Sequence, residues 1–277
     1  MPMQYIRCVF KSRGVSQCGC CSFSHVLPLL EVRSRARIPE GARTVIFALF
    51  PYYTGLLPHR NLSRYAVPDD YHLIAGRVLE GCQGALEEAF PQERFVSFVD
   101  SSPIREVQGA YLAGLGWMGR NGQLINPRFG SYVFIGEIVT TLEIPCQPRP
   151  MGKCLDCGAC RRACPTGALT EGSVEEALCR SAVTQKKGEL TLWETEQIRA
   201  GGMVWGCDIC NDVCPMNRRA LPSDMRQFYQ SMDSVVTEEN LSRLRKRKAF
   251  GYRGRAVMER NLGILAASKT EREVYDG

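Results

Sequence analysis

Residues 154–165 read CLDCGACRRACP, and the meaning of these four cysteines decides what kind of protein this is. The spacing is C-x2-C-x2-C-x3-C-P, formed by Cys154, Cys157, Cys160, Cys164 and Pro165. A second run, CDICNDVCP at 207–215, repeats the x2 and x3 gaps with Cys207, Cys210 and Cys214. Paired C-x2-C units also build zinc ribbons, but zinc takes four ligands, usually from two separated pairs. Three cysteines at x2 spacing wrap one face of an iron–sulfur cubane, while the fourth, three residues on, turns toward a neighbouring cluster. The spacing therefore predicts two [4Fe–4S] clusters. Each cubane takes four thiolates. The two runs fall one short, and Cys179, in ALCRSAV between them, is the remaining cysteine of the module. The crossing pattern assigns Cys154, Cys157, Cys160 and Cys214 to one cluster, and Cys164, Cys179, Cys207 and Cys210 to the other.

The rest of the chain bears on where such clusters would work. At 277 residues, with 44% apolar and 23% charged side chains, it is long enough to bury a sizeable core. The start MPMQYIRCVFKSRG has no apolar segment after its basic residues, and the longest apolar runs, TVIFALF and YVFIGEIV, are strand-length. A soluble, cytoplasmic protein with no membrane segment is expected, so its bunched thiols read as metal ligands rather than disulfides. Cys8, Cys18, Cys20, Cys21, Cys82 and Cys146 are left over and read as partly buried free thiols. His25, His59 and His72 form no imidazole cluster in the sequence. The formal charge of +6 permits contact with nucleic acid without requiring it. The stretch RLRKRKAFGYRGR, 243–255, holds no acid, and reads either as a solvated helix face or as a phosphate-binding patch.

Residues 42–50, ARTVIFALF, predict a buried strand, 71–90 a helix, and 95–99 a second strand, a β–α–β cadence. Ser101, Ser102, Pro103 and Glu106 predict a capped helix that ends at Gly114 and Gly116, and 131–140 predict a further strand. Three prolines between Pro145 and Pro150 mark a linker. The expected fold is α+β or α/β. An N-terminal α/β domain covers 1–145, a ferredoxin-like double-cluster module covers 146–222, and a short, basic helical tail covers 223–277.

With these motifs in place, the sequence resembles the bacterial epoxyqueuosine reductases. The resemblance is carried by LSRYAVPDDYH (62–72), FVDSSP (98–103), GLGWMGRN (114–121), FGSYVFIGE (129–137) and the two cysteine runs, in the same order and spacing, over about residues 10–268. It implies a cobalamin enzyme whose corrinoid lies between the α/β domain and the clusters, which reduce its cobalt. The reaction implied is removal of the epoxide oxygen of epoxyqueuosine in tRNA, the last step of queuosine synthesis. The family's proton-donating aspartate falls on Asp100. A carboxylic acid of raised pKa suits an opening epoxide, which develops alkoxide charge. From its position alone, between strand and helix, Asp100 reads equally as an N-cap. Arg64, Tyr71, Asn121, Ser181 and Asp208 fall in or beside matching motifs as candidate cofactor contacts, each also readable as a polar residue satisfying a turn. No D-x-H-x-x-G motif is present, so the cobalamin implied is bound base-off.

The sequence departs from the family at Val107, Arg120, Gly122 and Met216, and through RSAVTQKKGEL after Cys179. Long members continue into a helical-repeat region that helps hold tRNA. In this sequence that contact is expected from the 243–255 stretch with Arg161, Arg162, Arg218 and Arg219. An external one-electron donor such as a flavodoxin or ferredoxin is implied. The alternatives are a cobalamin and iron–sulfur reductase of another small organic substrate, similar to reductive dehalogenases, and a ferredoxin-type electron carrier without chemistry of its own.

Overall fold

The run TVIFALFP lacks polar alternation because both faces of its strand are covered. The structure is a computed structural model that describes residues 2–146, 152–171 and 173–275. Its strands are β1 (Cys18–Ser22), β2 (Thr44–Pro51), β3 (Phe95–Val99), β4 (Trp117–Met118), β5 (Leu124–Ile125) and β6 (Val133–Thr140). The main sheet has the order β1-β2-β6-β3, and every ladder in it is antiparallel. Strands β2 and β3 thus run the same way with β6 inserted between them. The cadence expected from the sequence is present as a split β–α–β unit.

Helices α1 (Pro2–Ser12) and α2 (Tyr71–Ala89) cover one face of the sheet, where Ile6, Phe10, Leu79 and Cys82 pack with Ile46 and Phe50. Helix α3 (Glu106–Leu112) covers the other, where Ala110 joins Val45, Phe47 and Leu49. This helix starts later than the sequence suggests. Arg105 occupies its N-cap without a side-chain cap. The hydroxyl of Ser102 is used elsewhere, donating to Glu137 Oε2 at 2.6 Å and accepting from the Ile104 amide at 3.1 Å. Glu137 is wholly buried in β6, so a donor there is worth more than a helix cap on a short, three-sided loop.

The second half is built of short helices: α4 (Ala159–Ala163), α5 (Arg180–Gln185), α6 (Leu192–Gly201), α7 (Ile209–Asp212), α8 (Glu238–Leu244) and α9 (Arg255–Tyr275). Helix α6 opens with a capping box between Thr191 and Glu194. The stretch read as a basic tail does not stand apart. Leu241, Leu244, Phe250, Val257 and Met258 form one core with Leu62, Ala66 and Val67 from the N-terminal half and with Val204 and Trp205. Several of its charges are already paired. Lys248 is buried, with Nζ donating to the carbonyls of Val67 at 2.7 Å and Ser231 at 2.8 Å. Arg243 pairs with Asp233, Arg247 with Asp69 and Arg255 with Glu259. A phosphate patch made of the whole 243–255 stretch is therefore corrected to its unpaired members. Of the expected linker at Pro145–Pro150, residues 147–150 lie outside the described residues.

Helix α3 lies close on the sheet because Gly109 has no side chain. A Cβ there would sit 2.2 Å from the ring of Phe47. Gly109→Ala is expected to destabilise the protein by about 1–3 kcal/mol, read as a lowered thermal midpoint. A change within about 0.5 kcal/mol, the range of ordinary surface substitutions, would contradict this packing.

Candidate functional site

The eight cysteines of the two runs and Cys179 line two separate cavities. Cys154, Cys157, Cys160 and Cys214 surround a small one, with Arg120, Asn121, Leu155 and Met216. Cys164, Cys179, Cys207 and Cys210 line a larger one of about 310 Å³. The charges follow the same division, since Cys214 feels Cys154 and Cys157, whereas Cys210 feels Cys207 and Cys179. The chain reaches these positions through tight turns. Gly158 opens α4 at φ 68° and Gly167 follows Cys164 at φ 67°, a conformation glycine adopts without strain.

Between the two cavities runs a buried amide network. Asn121 lines both, and its Nδ2 donates to Asn211 Oδ1 at 3.0 Å. The same oxygen accepts from Ser131 Oγ at 3.0 Å. Asn217 Nδ2 donates to Ser131 Oγ and to the Asn211 carbonyl, each at 2.8 Å. Helix α7, which carries Cys210, is thereby pinned to the loop that leads into β6.

The larger cavity lies at the seam between sheet and cluster module. Tyr52, Tyr65, Val133 and Phe134 make its aromatic and apolar wall, and Asn121, Ser181 and Asp208 its polar edge. It shares Val174, Cys179 and Ser181 with an open cleft of about 670 Å³ that Lys186, Lys187 and Arg253 also line. Arg180, buried in the wall, has an Nε with no partner among the described residues. An aromatic wall with a rim of amide, hydroxyl and carboxylate groups fits a large ligand edged with amides. No histidine lines either space.

The five candidate cofactor contacts divide. Asn121, Ser181 and Asp208 line the cavity, and Arg64 and Tyr71 do not. The Arg64 guanidinium is taken by Asp212 at 3.0 Å and by the Gly55 carbonyl at 3.1 Å. Asp208 is buried, which pushes its pKa up, against the opposing charge of Arg60. Tyr71 stands one layer back. Its ring stacks on Phe134 with centroids 3.9 Å apart, and on His72 at 4.0 Å.

Behind that stack stands Asp100, in the left-handed region at φ 62°. Its Oδ2 lies 3.2 Å from His72 Nε2, and His72 Nδ1 lies 2.7 Å from Asp70 Oδ1. Asp70 also caps α2 by accepting from the His72 amide at 3.0 Å, so one carboxylate fixes both the helix start and the ring. The expected raised pKa of Asp100 is corrected. The hydrogen bond from His72 lowers it, outweighing burial. Burial alone would lower His72, but hydrogen bonds to Asp100 and Asp70 hold it up at about 9. The pair is carboxylate and imidazolium at neutral pH. On the other side of the acid loop, Glu106 and Glu137 are pushed up by burial. Each keeps one oxygen without a partner among the described residues.

Sequence reasoning missed His72, Asn211 and Glu137. The signals were there: His72 closes the quoted SRYAVPDDYH, and Glu137 breaks an otherwise apolar strand at IGEIV.

Comparison with known proteins adds the relationships of this chain. Residues 153–217 match the family described as "4Fe-4S double cluster binding domain", and residues 33–101 the family "Epoxyqueuosine reductase QueG, DUF1730". The chain is 37% identical over 193 residues to the epoxyqueuosine reductase of Gloeobacter violaceus, covering 68% of this chain and 60% of that one. It is 31% identical over 249 residues to that of Leadbetterella byssophila, covering 83% and 79%. Its fold matches a crystal structure of an epoxyqueuosine reductase with an epoxyqueuosine-modified tRNA stem loop, at a TM-score of 0.80 and 23% identity, over 96% of this chain and 81% of that one.

If each cavity takes one cubane, anaerobic reconstitution should load about eight irons per chain. Cys214→Ala and Cys179→Ala should each lose about half of that while leaving the other cluster's electron-paramagnetic signal. Either substitution removing both clusters, or neither, would contradict the division of thiols.

Proposed function

We propose, from the premise that the chain belongs to the epoxyqueuosine reductase family, that it removes the epoxide oxygen of epoxyqueuosine in tRNA. The observation that carries this reading is one line of contacts. It runs from the outer thiol cavity through Asn121 to the seam cavity, and from its Phe134 wall through Tyr71 and His72 to Asp100. Electron storage, a cleft for a large cofactor and a proton source thus adjoin in a single site.

Converting an epoxide to an alkene consumes two electrons and two protons and releases water. When bound, the clusters would deliver electrons singly, and a corrinoid lying outside the inner cubane, across the mouth of the seam cavity and the adjoining open cleft, would supply a low-valent metal nucleophile. Asn121, Ser181 and Asp208 would hold the corrinoid's polar edge, and Tyr52 and Phe134 would pack against it. The protein's own part in the chemistry is the first of these protons, the second being drawn from solvent. Alkoxide charge developing on the epoxide oxygen is met by Asp100, whose proton comes from the His72 imidazolium at Nε2. Asp70 holds Nδ1 and keeps the ring aimed. An ionised Asp100 that borrows its proton from His72 replaces the simple raised-pKa acid, because two carboxylates on one ring favour the imidazolium.

At the substrate side, Lys187 and Arg253 around the open cleft are the proposed phosphate contacts, Lys186 being paired with Glu194. Action on tRNA would place the protein in the cytoplasm. Among the described residues no helix is long and apolar enough to cross a membrane.

The test is turnover of epoxyqueuosine-bearing tRNA by the fully loaded enzyme, with queuosine read by mass spectrometry. Asp100→Asn is expected to lower the rate by about 10²-fold or more with iron content unchanged. The rate should fall as pH rises through about 9, where His72 loses its proton. His72→Gln should lower the rate about tenfold or more and abolish that limb. Normal turnover by Asp100→Asn would overturn the assigned acid, and absence of turnover by the unsubstituted enzyme would overturn the substrate.

A further inference from the structure

The two thiol groups differ in exposure. The inner group sits against buried Asp208 and Asn211, beneath the cleft. The outer group faces water: Cys157 is exposed, and Leu155 beside it is 59% exposed. Val213, just before Cys214, is exposed as well. An electron arriving from outside therefore meets the outer group first.

The rim of that outer group is cationic. Lys153 precedes Cys154, Arg161 and Arg162 lie on α4 between Cys160 and Cys164, and Arg218 and Arg219 end the turn that begins at Cys214. The acids nearby are already matched. Asp156 pairs with Arg120, Glu171 with Arg161, and Asp212 with Arg60 and Arg64. Lys153, Arg162, Arg218 and Arg219 carry no ion pair among the described residues. A cubane held by four thiolates is itself an anion of about two charges, so this surplus outlasts it and leaves the face positive by about two charges.

Resting on the double-cluster reading above, we propose that this face is the docking site of a small acidic one-electron carrier protein, which delivers electrons to the Cys154, Cys157, Cys160 and Cys214 cluster. Leu155 and Val213 provide the small apolar contact and the unpaired cations provide steering. That combination suits a brief encounter between redox partners, where a small interface and a fast on-rate matter more than affinity. Of the arginines expected from the sequence to help hold tRNA, Arg162, Arg218 and Arg219 are thereby assigned to a protein partner.

The experiment needs neither corrinoid nor tRNA. The iron-loaded chain is mixed anaerobically with a reduced flavodoxin, a small acidic flavoprotein, and cluster bleaching is followed by stopped flow. The second-order rate constant should fall about tenfold or more as ionic strength rises from about 0.02 to about 0.5 M. Arg218→Glu with Arg219→Glu, and separately Lys153→Glu, should each slow it at low salt, about tenfold for the double variant. Reduction by a small cationic viologen radical should not be slowed in any variant, which shows that the clusters are intact. Flavodoxin rates indifferent to salt and to these substitutions would overturn the docking site alone. Weaker tRNA binding by the same variants, with unchanged flavodoxin rates, would make the rim a nucleic-acid surface and also overturn it. A chain that takes up no iron would overturn both this inference and the function on which it rests.

Discussion

The carboxamide of Asn211 holds the two halves of the molecule in register. Its oxygen accepts from Asn121 and Ser131, and its backbone carbonyl accepts from Asn217. Cys210 immediately precedes it and Cys214 lies just beyond α7. Ser131 stands two residues before β6, the strand that bears Phe134. One side chain therefore relates thiols of both groups to the wall of the seam cavity. The polar groups in this network are nearly inaccessible to water, so each bond lost would leave a buried donor or acceptor at a cost of about 1–3 kcal/mol. The network is built for fixed geometry, which electron transfer between cofactors requires and which a loosely hinged pair of domains would not supply.

Much of this was legible from residue spacing. Cysteines at x2 and x3 gaps, strand-length apolar runs and helical periodicity are local patterns, and β2, β3, β6 and α2 formed as the patterns suggested, whereas β1, β4 and β5 were not expected. The start of α3 was misread because serine and proline signal a helix cap, whereas the buried Glu137 across the sheet claims the Ser102 hydroxyl. The basic stretch was misread for a similar reason. Its partners Asp69 and Asp233 lie outside the stretch, so charge counted along it overstated how much is unpaired. Arg64 was drawn to the cofactor by its motif and in the fold belongs to Asp212. In each case a long-range polar pairing overrode a local signal.

The same pairing logic shapes the acid. Asp100 alone, just past the end of β3, would have its pKa raised by desolvation. With His72 wedged between it and Asp70, the ring takes the charge and the carboxylate becomes a relay. Glu106 and Glu137 go the other way, their pKa values pushed up by burial. Two kinds of carboxyl thus flank the acid loop, distinguished by whether a cationic partner is within reach.

The claim that the seam between sheet and cluster module is a cofactor site is tested most directly by cobalt electron-paramagnetic resonance on the iron-loaded protein mixed with cobalamin and reduced to the cobalt(II) state. The account predicts about one bound corrinoid per chain, with a base-off signal free of nitrogen splitting because no histidine lines the cavity. Failure to take up the corrinoid, or a signal split by an axial nitrogen, would contradict it.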